Sequence, residues 1–275
     1  MKCIDFDHEF MHYAEKWMAE NRGKFKNADE MEAQMPDVYL RWLNQSAEWL
    51  DGRTPGGYFQ AYDDVNELID WMEEYHRQQV DVPNQLMERI VELGEGGVER
   101  LMALARDPEA DSGLRVTALN LLNEIGSRAP MEMCMDLIEN RAETDELADV
   151  AAELLTNLGR VVVEPVLQRM ERSSRDAKET FLDVLCNFPG DERIYNYAES
   201  AFRNRPERRA LFASYLAKLG DERAIEVLRP ALQYVDLGYL DYIEIRNAIE
   251  ALGGEVEEER EFFGDPDYES MRSME

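Results

Sequence analysis

Histidine and cysteine are scarce in this chain, basic residues are far outnumbered by acidic ones, and long apolar runs are missing. Each shortage excludes something. The three cysteines (Cys3, Cys134 and Cys186) are odd in number, far apart and without CxxC spacing. Neither a disulfide framework nor a zinc knuckle is expected from them, and a reducing compartment is. No window approaches the run of about 18 apolar residues that a membrane-spanning helix needs. The opening MKCIDFDHEF has one Lys followed by acids, not the apolar stretch of a signal peptide. Together these features predict a cytoplasmic protein with no membrane partner.

Lys and Arg number 30 against 59 Asp and Glu, a net charge of −29. A surface that negative repels phosphate backbones, and no basic stripe reverses the field, so no nucleic-acid partner is expected. The acidity serves solubility, or it attracts a basic partner. A hydrophobic fraction of 44% with 32% charged residues suits a folded chain. Its 275 residues are enough for a sizeable core.

What the sequence does have is a repeat. From about residue 64, helix-length blocks close on ELG (Gly94), EIG (Gly126), NLG (Gly159), FPG (Gly190), KLG (Gly220) and ALG (Gly253), at intervals of 32, 33, 31, 30 and 33. A regular period in this range marks a repeat array. The glycine itself marks a helix C-terminus, where the next residue takes the left-handed conformation. Three apolar columns precede it: Leu86, Ala118, Ala151, Phe212 and Ile245 eight residues before; Ile90, Leu122, Leu155, Leu216 and Ile249 four before; Leu93, Ile125, Leu158, Leu219 and Leu252 one before. Allowing one residue for Pro189, the FPG block supplies Phe181, Leu185 and Phe188. This spacing of three and four puts the columns on one helical face. A polar column stands six residues before the glycine, Glu88, Asn120, Glu153, Asp183, Ser214 and Asn247, as amphipathic helices in register require.

Each block also has a first helix, predicted over about 64–79, 97–106, 130–141, 162–172, 191–203 and 221–234. A helix pair of this size cannot bury its apolar faces alone, so neighbouring pairs must stack. The segments SGLRVTALNLLNEIG (112–126), PERRALFASYLAKLGD (206–221) and GDERAIEVLRPALQYVD (220–236) resemble the HEAT-like repeat of phycobilisome-lyase-type proteins. The step Leu114-Arg115, the ending Leu219-Gly220-Asp221 and the first-helix prolines Pro165 and Pro230 carry the likeness. Where the family has an arginine, Ala148 and Tyr242 stand here. The resemblance implies an all-α protein, a right-handed α-solenoid of about six helical pairs over 64–253.

Residues 1–63 do not follow the repeat and hold an aromatic-rich region. Phe6, Phe10, Tyr13 and Trp17 recur at helical spacing within a helix predicted over Asp5–Asn21. Pro36 opens a second helix, and Thr54 with Pro55 predicts the N-cap of a third. The expected role is a helical cap over the exposed solenoid end, with an aromatic-lined pocket as the functional alternative. The acidic tail 254–275 carries Phe262 and Phe263, which either fold back over the last repeat or form a short linear motif.

Catalytic chemistry is thinly represented. His8-Glu9-Phe10-Met11-His12 is formally H-E-x-x-H, which on a helix sets two imidazoles one turn apart to hold zinc beside a general base. Its context argues against a protease, because few residues precede it, Asp7 is charged and no downstream signature marks a third ligand. The remaining histidine is His76. GEGG (94–97) lacks the Lys-Ser/Thr of a phosphate loop, and Cys134 and Cys186 have no neighbouring histidine.

The chain is therefore expected to be a non-catalytic, cofactor-free scaffold that binds a protein or a peptide, a basic one included, through the polar wall of its second helices. That wall combines Glu88, Asn120, Glu153, Asp183, Ser214 and Asn247 with a row one turn on, Glu92, Glu124, Asn157, Asn187 and Lys218. The alternative is a metal-dependent hydrolase at His8 and His12.

Overall fold

The structure, a computed structural model, describes residues 3–141, 146–257 and 260–272. Among them all regular structure is helical, with no strand. No helix of the described residues is long and apolar enough to cross a membrane. The chain forms two compact units, Met1–Met133 and Cys134–Glu275.

The first unit contains α1 (Phe6–Asn21), α2 (Ala28–Glu32), α3 (Met35–Leu43), α4 (Val65–Gln78), α5 (Asn84–Leu93), α6 (Val98–Arg106) and α7 (Ser112–Ile125). Asp5 caps α1 by accepting from the His8 amide at 2.8 Å. Phe6 is buried in an aromatic core, with ring centroids 5.8 Å from Trp49, 5.9 Å from Tyr58 and 5.7 Å from Phe59. Phe10 meets Tyr39 and Trp42 of α3 at 4.9 and 5.3 Å. The same core reaches α4, where Trp71 packs on Phe59 at 5.3 Å and on Tyr62 at 4.8 Å. The Tyr75 hydroxyl donates to the Ile4 carbonyl at 2.9 Å and accepts from the Ile4 amide at 3.0 Å. Residues before 64 and the first two helical pairs thus belong to one unit. No helix starts at Pro55. Thr54 Oγ1 does accept from the Gly57 amide, but Gly56 donates to the Leu43 carbonyl and the chain turns instead. Two successive glycines favour that outcome, since each is a poor helix former.

The helix α8 (Met131–Glu139) leads into the second unit, which continues with α9 (Glu146–Asn157), α10 (Val163–Met170), α11 (Arg175–Leu185), α12 (Glu192–Asn204), α13 (Arg209–Leu219), α14 (Ala224–Leu228), α15 (Tyr239–Ala251) and α16 (Pro266–Arg272). The expected first and second helices are all present among the described residues. The last first helix is broken: α14 stops at Leu228 and a 3-10 turn covers Arg229–Gln233. Pro230 has no amide hydrogen to continue the α-helical ladder.

The helices α5, α7, α9, α13 and α15 end one or two residues before Gly94, Gly126, Gly159, Gly220 and Gly253. At Gly126 and Gly220 the backbone is left-handed, with φ of 71° and 67°, the conformation that glycine adopts without strain. The columns eight and four residues before these glycines are buried, Leu122, Leu155 and Leu216 completely so. In the column nearest the glycine, Leu93, Ile125 and Leu158 are only half-buried.

First helices are joined by arginines that the apolar pattern did not mark. In the first unit, Arg100 of α6 reaches back to Asp70 and, at 2.7 Å, to Glu73 on α4. In the second, Arg169 of α10 meets Asp136 at 2.7 Å and Glu139 at 3.0 Å on α8. Arg193 meets Glu164 at 3.0 Å, and Arg223 meets Glu192 at 2.9 Å. The acidic tail folds back on α15: Phe262 is buried against Tyr239 and Tyr242, and Asp265 accepts from the Tyr239 amide. Phe263 stays exposed under the Arg272 guanidinium.

Candidate functional site

The polar columns lie on the outward side of the second helices. Glu88, Glu92, Asn120, Glu124, Glu153, Asn157, Ser214, Lys218 and Asn247 are exposed, and Asp183 and Asn187 are half-buried. This face follows from the register, because residues two positions from a buried column on a 3.6-residue helix point away from the core.

The structure brings four of these residues into one groove of the second unit. Glu153 on α9, Asp183 on α11, Asn187 two residues past its end, and Lys218 on α13 line a cleft of about 540 Å³. Asn157, Ser214 and Asn247 lie outside it. In the first unit, Glu88 and Glu92 sit on α5, with Asn120 and Glu124 on α7, and these two helices pack together. The Glu92 carboxylate accepts from Gln60 at 2.9 Å and Arg89 at 3.0 Å, which holds its pKa below the usual carboxylate range.

The groove also contains groups outside the columns: Arg141, Asp149, Thr156, Glu179, Thr180, Arg208 and Tyr215. Lys218 Nζ stands 3.1 Å from Asp183 Oδ1. Arg141 pairs with Asp149 at 3.3 Å and donates to Thr180 at 3.0 Å. Glu179, mostly buried, is held between Arg208 and Arg205, the latter at 2.8 Å. Burial raises the Tyr215 phenol above its ordinary pKa, and the nearby Asp183 and Glu179 carboxylates add to the effect. It therefore stays protonated, as a hydrogen-bond donor. Three cations face four carboxylates here, so the groove is close to neutral, unlike the strongly acidic wall that the columns alone suggest.

This lining combines hydrogen-bond donors and acceptors with side chains of both charges. The neighbouring Cys186 is fully buried, and its thiol is pushed up to about 12, so no thiolate is present at neutral pH. At the other end of the chain, His8 and His12 are exposed on α1 with their Nε2 atoms 3.1 Å apart. Among the described residues, no group of three or more His, Cys, Asp or Glu side chains converges to hold a metal. Columns counted from a glycine cannot find Arg141 or Arg208, which lie between helices and enter the groove through the path of the connecting turns. Glu179 and Tyr215 do lie on second helices, but off the polar columns.

No protein-family model matches this chain, and no curated protein matches it.

Proposed function

We propose that the chain is a non-catalytic binding protein whose helical pairs are HEAT-like repeats stacked in the manner of an α-solenoid, with the aromatic region before residue 64 as its cap. In this reading the groove on α9, α11 and α13 takes an extended segment of a partner protein. The observation that carries it is the convergence of Glu153, Asp183, Asn187 and Lys218 with Tyr215 and two arginines in one cleft. An extended peptide presents backbone donors and acceptors on both edges, and a wall of mixed polarity answers both. Charge selects the approach: with a net charge of −29, basic segments are steered in over acidic ones.

The test is a titration of a partner recovered by affinity capture from the native cell, at low and high salt. Wild type is compared with the double reversal Glu153→Lys/Asp183→Lys. Binding should weaken about tenfold or more in the double variant, with a flatter salt dependence and unchanged helix content. Equal affinity of both proteins at both salt concentrations rules the groove out as the site.

A further inference from the structure

His8 and His12 are one helical turn apart on α1, both rings are exposed, and neither takes part in the aromatic core that Phe6 and Phe10 anchor. The aromatic core therefore does not place the pair; the two rings are joined by a hydrogen bond between their Nε2 atoms. Their ring centroids are 4.5 Å apart at an interplanar angle of 79°, and the two Nε2 atoms converge to 3.1 Å. With metal–imidazole bonds of about 2.0–2.1 Å, two nitrogens on one ion are separated by about 2.9 Å at a right-angle geometry and about 3.3 Å at a tetrahedral one. The observed separation lies between these values.

We propose that His8 and His12 form a two-imidazole chelate for a divalent transition-metal ion, through Nε2 of each ring. Imidazole ligands select Zn²⁺, Ni²⁺ or Cu²⁺ over Mg²⁺ and Ca²⁺, which prefer oxygen. The Glu15 carboxylate lies 3.9 Å from His12 Nδ1, the ring nitrogen that faces away from the proposed ion. The positive end of the helix macrodipole disfavours a cation near His8, and the carboxylates of Asp5, Asp7 and Glu9 offset it. Water completes the coordination shell. A catalytic zinc takes three protein ligands, so the chelate is a binding site and not the centre of a hydrolase. It does not depend on the groove.

The experiment uses the full chain and Zn²⁺ or Ni²⁺ alone. Calorimetric titration in a non-coordinating buffer should show saturable one-to-one binding at micromolar ion. His8→Gln and His12→Gln should each weaken it about tenfold or more, since loss of even an outer-shell partner costs about 10–100-fold. His76→Gln should leave it unchanged. The chain has 3 histidines, so ring proton NMR signals can be followed singly, and substoichiometric Cu²⁺ should broaden two of them and spare His76. That measurement needs no variant and holds even if a substitution perturbs folding. Absence of saturable binding to wild type, equal affinity of the His8 and His12 variants, or broadening of all three signals alike overturns the proposal.

Discussion

At the scale of single residues, burial separates two classes on the same helices. Leu122, Leu155 and Leu216 are fully buried, whereas Asn120 is exposed two residues before Leu122. Leu→Ala at any of the three should cost about 2–5 kcal/mol in urea melts, through lost transfer energy and the cavity left behind. Asn120→Ala should cost less than about 0.5 kcal/mol. His76 gives a pH signature. Its ring lies against Thr117 and 3.8 Å from Asp111, and burial lowers its pKa despite that carboxylate. The unfolded chain therefore binds the proton more readily than the folded one. Stability from this group is present above the ordinary imidazole pKa of about 6.5 and is lost as pH falls from there through the lower folded-state pKa. Urea midpoints at pH 7 and at successively lower pH should decline more steeply for wild type than for His76→Gln.

At the scale of elements, the ion-pair network around Glu179 differs from the pairs on the rim of the groove. Glu179 of α11 is mostly buried and takes charge-assisted hydrogen bonds from Arg205 and Arg208, whereas Asp183 and Lys218 are both about half exposed. Glu179→Ala removes a charge-assisted partner from both guanidinium groups and should cost about 1.5–3 kcal/mol. Lys218→Ala should cost less than about 1 kcal/mol, and less still in high salt. The ends of α5, α7, α9, α13 and α15 were legible from sequence because a glycine leaves a local mark at each, as at Gly126 and Gly220. The buried faces were legible because Leu122, Leu155 and Leu216 recur in register. Two things were not. The Thr54-Pro55 start signal was overridden by a longer-range bond from Gly56 to the Leu43 carbonyl. The groove's near-neutrality was hidden because Arg141 and Arg208 reach it through turns, which carry no periodic signal.

At the scale of the whole molecule, the net charge of −29 competes with the local ion pairs. Self-repulsion among carboxylates is long-ranged and is screened once the Debye length falls from about 30 Å to about 8 Å. Pairs such as Arg169 with Glu139, both about three-quarters buried, lose less on screening. The melting temperature should therefore rise between roughly 10 and 150 mM NaCl, and a fall would show that the arginine rungs outweigh the repulsion. One further consequence comes from the cysteines. Cys134 and Cys186 of the second unit are both shut away from solvent, while Cys3 of the first is half-buried. A thiol reagent added to the native protein can reach those two only when the helices around them part. Their labelling rate is thus a clock for the breathing of the second unit, with no substitution needed to install it. The chain carries its own measure of how often its core comes open.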